Sequence, residues 1–122
     1  MFNLVIEPQK GVRDIPLIDD VMEQFVYDHD LDWEDVKVLT GRGWGPRQIV
    51  KDICKKRGIA FGFLEPHGRD GKLSPSKFRD AAIKEADGIM VIWNGRCKDC
   101  YAMLQRAKSQ GVKHVVEELC KL

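Results

Sequence analysis

A chain of 122 residues with 43% hydrophobic and 32% charged side chains can bury one core and is too short for two. Its 20 Lys and Arg against 19 Asp and Glu leave a net charge of +1. A protein that coats a polyanion carries a larger basic excess, so nucleic acid is not an expected partner. No apolar run approaches the ~18 residues of a membrane span, and Met1–Glu7 lacks the basic flank and apolar stretch of a secretory leader. The expectation is a single domain over residues 1–122, cytoplasmic, with no membrane partner.

In chain order, Phe2–Ile6 is a short apolar run rich in branched and aromatic residues, as buried strands are. Leu17, Val21, Phe25 and Val26 recur at helical spacing behind Pro16, with Asp19 and Asp20 expected in the electropositive first turn. Asp28, Asp30, Asp32, Glu34 and Asp35 read as a solvated connection with a helix cap. A second strand, Val36–Leu39, precedes a helix marked by Ile49, Val50, Ile53 and Cys54. Pro46 sits near its start, Lys55, Lys56 and Arg57 fill its last turn, and Gly58 is placed to end it. Ile59–Leu64 is a third strand. The irregular stretch Glu65–Leu73, with His67, is expected to be a functional loop or lid. Ser74 and Pro75 start a third helix through Phe78, Ala81, Ala82 and Ala86. Ile89–Trp93 is a fourth strand, Leu104 and Ala107 mark a fourth helix that stops at Gly111, and Val112–Val116 is a fifth strand.

Strands alternating with helices imply parallel pairing, because a crossover helix is what returns the chain to the same edge. The expected fold is an α/β, Rossmann-like three-layer sandwich with a mostly parallel five-stranded sheet and the first strand central. Ligands of such sheets bind beyond the carboxyl ends of the strands.

Two loops at those ends carry unusual chemistry. Thr40-Gly41-Arg42-Gly43-Trp44-Gly45-Pro46-Arg47 places three glycines and two arginines directly before a helix. Glycine lets the backbone approach a ligand, the helix amides and dipole suit phosphate, and Arg42 and Arg47 offer planar charge-assisted donors. A tight turn is the bland alternative. Trp44 is placed either to stack on a base or to cover the loop. The order is neither a P-loop nor the dinucleotide fingerprint. The second loop, Asn94-Gly95-Arg96-Cys97-Lys98-Asp99-Cys100, would form an opposite wall. Arg96 and Lys98 are available there to an anion, and Asp99 has the chemistry of an N-cap. Lys77 and Arg79, near the start of the third helix, are poorly matched to its dipole and invite an external anion.

Thr40-Gly41-x-x-x-Gly45, Pro75-x-Lys77-x-Arg79 and Ala86-Asp87-x-Ile89 through Asn94-Gly95-Arg96, in that order, resemble the small SLOG proteins. These YspA-related proteins have the LOG (lysine decarboxylase-like) phosphoribohydrolases and DprA as distant relatives. The resemblance implies a nucleotide-like ligand, contacts from Gly41, Gly45, Arg79 and Gly95, and a homodimer through helices flanking the sheet. Some relatives hydrolyse the N-glycosidic bond of nucleoside monophosphates. The glutamate they use for this falls here on Met103, whose thioether is no general acid or base. Binding is therefore expected over hydrolysis, with Asp99 or Glu65 as stand-ins if a bond is cleaved. No cofactor is implied.

Cys97 and Cys100 form a CxxC before a helix, which supplies a separate reading, thiol redox chemistry. Cys54 reads as a small core residue, and Cys120 is isolated near the end of the sequence. His29, His67 and His114 lack ligand spacing, and no metal site is expected.

Overall fold

The computed structural model describes residues 1–43, 45–64 and 75–121. Within them lie strands β1 (Phe2–Pro8), β2 (Val36–Thr40), β3 (Ala60–Phe63), β4 (Gly88–Trp93) and β5 (His114–Leu119). They alternate with helices α1 (Ile15–Asp28), α2 (Pro46–Arg57), α3 (Pro75–Glu85) and α4 (Lys98–Ser109). Every strand pair is parallel, in the order β3-β2-β1-β4-β5. The expected Rossmann-like α/β sandwich is present, with β1 central and the sheet wholly parallel.

From β1 the chain steps outward to β2 and β3, then crosses back to β4 and β5 on the other side. Right-handed crossovers therefore put α1 and α2 on one face and α3 and α4 on the other. The alternation of the strands serves both layers. Leu4, Ile6, Val36, Val38, Met90 and Ile92 pack with Ile18, Met22, Phe25, Val50 and Ile53. Val5, Leu39, Ile89, Val91 and Trp93 pack with Ala82, Met103, Leu104 and Ala107. With both faces covered, all of β4 is buried, which is why it reads as an unbroken apolar run. No helix among the described residues is long and apolar enough to cross a membrane.

The element ends hold the corrections. Asp14 caps α1, its carboxylate accepting the Leu17 N–H at 3.0 Å. Because the helix starts at Ile15, Asp19 and Asp20 fall beyond the first turn, and Asp19 instead takes the Arg57 guanidinium of α2 at 2.7 Å. α2 ends as expected at Gly58, in the left-handed conformation. The N-cap of α4 is Cys97, with Asp99 inside the first turn. β5 begins later than Val112, whose N–H turns back to the Ala107 carbonyl at 3.1 Å and closes α4.

Met90 is fully buried in a central strand against the α1 and α2 layer. Met90→Ala should lower stability by about 2–5 kcal/mol through lost transfer energy and the residual cavity. Urea unfolding of the two chains should show this as a shifted midpoint with an unchanged slope.

Candidate functional site

The five strands end at one rim, and the chain reverses its direction of travel across the sheet between β1 and β4, where doubly wound folds open a crevice. Here the first layer above the strands is closed. Gln9 N–H donates to Ile92 O at 2.8 Å, and Asn94 N–H donates to Gln9 Oε1 at 2.9 Å, so the two strands stay stitched past their last pair. Asn94 Oδ1 in turn accepts the Arg96 N–H at 2.9 Å. Asn94 and Gly95, expected to contact a ligand, thus first shape their own turn.

Arg47, in the first turn of α2, reaches across the end of β2. Its Nη2 donates to Glu7 Oε2 at 2.9 Å and Oε1 at 3.1 Å, its Nε to Oε1 at 3.2 Å, and its Nη1 to the Arg42 carbonyl at 3.0 Å. The guanidinium lies over the Phe78 ring of α3, 4.7 Å from its centroid. A Cβ at Gly41 would stand 2.5 Å from Arg47 Nη1 and 2.6 Å from Phe78 Cε2. Gly41 is therefore spared a side chain to admit this arginine. The Glu7 side chain is 12% exposed. Burial pushes its carboxyl above the ordinary range; Arg47 opposes that shift and Asp99 adds to it.

The expected gathering of cations around one phosphate is not formed. Arg47 is committed to Glu7. Arg42 lies 4.6 Å over the ring of Phe63, which Lys51 of α2 also approaches, and so faces the α1 and α2 side. Arg79 reaches towards Asp99 at 3.7 Å on the α3 and α4 side. Lys77, Arg96 and Lys98 are exposed around the same rim. Cys100, expected in the ligand wall, is 2% exposed and belongs to the core. Met103 is equally buried there, while Asp99 stands in solvent. Trp44, His67 and Glu65 lie outside the described residues.

A cation outside the sequence-based candidates, Arg13, also lies at this rim. Gly45 is the N-cap of α2, at φ 76, and has no side chain to give to the first-turn amides. A Cβ there would meet the Arg13 guanidinium at 3.6 Å. Arg13 also lines a groove of about 550 Å³ with Gly11, Val12, Asp14, Leu17, Leu119, Cys120 and Lys121. Among the described residues no hydrogen bond or ion pair occupies Arg13. The groove sits at the start of α1 rather than over the glycine loop. Its sequence signal is faint: a lone arginine before an N-cap aspartate.

His29 and His114, the latter the first residue of β5, meet edge to face at 4.9 Å at the opposite end of the sheet. Among the described residues no cluster of three His, Cys, Asp or Glu side chains is placed to hold a metal. Comparison with family models, curated proteins and solved structures gives no match.

Removing Arg47 strands the buried Glu7 carboxylate, and such breaks cost about 3–5 kcal/mol. In Arg47→Ala the Glu7 carboxyl, already raised by burial, rises further. The folded state then binds a proton more tightly than the unfolded chain. Stability should therefore recover as pH falls from 7.5 towards 5 and be lost again on raising it. Denaturant titrations at both pH values, with Glu7→Gln/Arg47→Ala as the variant lacking that slope, check the assignment.

Proposed function

We propose that the chain binds a small phosphorylated molecule of nucleotide type at the carboxyl rim of the sheet. The observation that carries the reading is the meeting of Arg13 with the glycine-capped start of α2 beside an open groove. An exposed guanidinium with no partner among the described residues, next to a helix start that no side chain of its N-cap residue caps, is the donor set that phosphate oxygens use. The remaining rim cations, among them Arg42, Lys77, Arg79, Arg96 and Lys98, add a favourable field. Val12, Leu17 and Leu119 supply apolar lining for the part of the ligand that is not phosphate. The volume falls within the roughly 300–1,000 Å³ of small-molecule sites.

Binding without bond cleavage is the form this reading takes. Glu7, the carboxylate nearest the centre of the rim, is held on both oxygens by Arg47 and has no free edge to present to a substrate. Asp99 is exposed and shares Arg79.

Titration calorimetry with inorganic pyrophosphate, AMP and ADP should show binding that weakens with added salt. Arg13→Ala should reduce affinity by about tenfold or more, the loss of one or two charge-assisted hydrogen bonds, with unchanged thermal stability. No free base should appear from AMP. Equal affinity for the variant and the parent chain would remove Arg13 from the site.

A further inference from the structure

The second rim loop holds two sulfurs that ligand binding leaves unused. Cys97 is the N-cap of α4, and its Sγ accepts the Cys100 backbone N–H at 3.4 Å. Cys97 is half-buried at the start of the helix, while Cys100 behind it is 2% exposed. Both are free thiols. This is an asymmetric pair, with an accessible sulfur in front and a protected one behind, three residues apart at a helix start.

We infer that Cys97 and Cys100 form a reversible dithiol–disulfide couple that exchanges with low-molecular-weight disulfides, Cys97 attacking and Cys100 resolving. The Cys97 thiolate attacks one sulfur of a disulfide RSSR, forming a protein–SR mixed disulfide and releasing RS⁻. Cys100 then gives up its proton to the departing thiolate and attacks Cys97 Sγ. That step closes the intramolecular bond and releases the second RS⁻, which takes up the proton lost from Cys97. The protein dithiol is oxidised by two electrons and RSSR is reduced to two RSH.

The surroundings fit this division of labour. Burial, the neighbouring Cys97 thiol and the nearby carboxylates of Glu7 and Asp99 all push the Cys100 thiol up, keeping it protonated until a mixed disulfide forms beside it. Cys54 provides an internal contrast. It is fully buried in the other layer, and burial pushes its thiol up to about 12. Cys54 has the environment of an inert core thiol. The couple stands independently of the anion groove, which lies at α1.

The full-length reduced chain, incubated with oxidised glutathione and then alkylated and peptide-mapped, tests the inference without any substitution. Cys97 and Cys100 should lose alkylation together, appear as one linked pair and return on reduction, with Cys54 untouched. Free Cys97 should be alkylated at least about tenfold faster than Cys100 or Cys54 in the folded chain. In Cys100→Ser a glutathione adduct should accumulate on Cys97, in Cys97→Ser no adduct should form on Cys100, and Arg13→Ala should leave the exchange unchanged. The inference is overturned if Cys97 and Cys100 stay alkylatable in the parent chain. It is overturned equally if the bridge runs to Cys54 or Cys120, or if glutathione settles on Cys100 as readily as on Cys97.

Discussion

The carboxyl rim of this sheet is organised by one ion pair. Glu7 ends the central strand on the α3 and α4 face, where a carboxylate is costly because water is excluded from most of it. Arg47 comes from α2, in the opposite layer, and must pass over the end of β2 to reach it. That path exists because position 41 has no side chain, and it is lined by the Phe78 ring on the far side. Two helices and two strands are thus fixed relative to one another by a single guanidinium. A buried pair of this kind is weak evidence for net stability, since an apolar replacement of equal volume would often serve as well. What the pair does specify is the arrangement of the rim.

That specification decides what remains for a ligand. The arginine best placed by the glycine loop already has its donors occupied, and Arg42 and Arg79 are drawn to different faces by Phe63 and Asp99. An anion arriving at this edge meets donors elsewhere, where the starts of α1 and α2 come together around Arg13. The glycines of the loop divide accordingly. Gly41 serves internal packing, and Gly45, at positive φ, frees the amides of the following helix.

The architecture could be read from the sequence because burial on both faces writes apolar runs, and helices write their 3.6-residue stripes. β4 and α2 were plain for this reason. The ends of elements were less plain, since Val112 is as apolar as a strand residue but is used to close α4. The site was harder still. Glu7 and Arg47 are 40 residues apart in the chain, and nothing local to either tells that they meet. Local pattern finds candidate donors; it does not tell which of them the fold consumes. Arg13 is not legible as a candidate in the sequence because what it meets is Gly45, across the gap between two helices, rather than its neighbours in sequence.

The same reasoning bears on the start of α4. An N-cap is served best by Ser, Thr, Asp or Asn, whose oxygens accept the orphan amides strongly, while a thiol is a weak acceptor. Capping alone would not select Cys97 at a position where an oxygen would stabilise the helix by up to about 1 kcal/mol more. Asp99, which has the right chemistry, sits two residues too late to take that role. Core packing would account for Cys100, with its side chain among Val91, Met103 and Leu104. Cys97 packs only at the margin of that cluster, half-buried, and gives its sulfur to the neighbouring amide. Cys97 is thus a weak cap at the edge of the core, in front of a thiol that the core encloses.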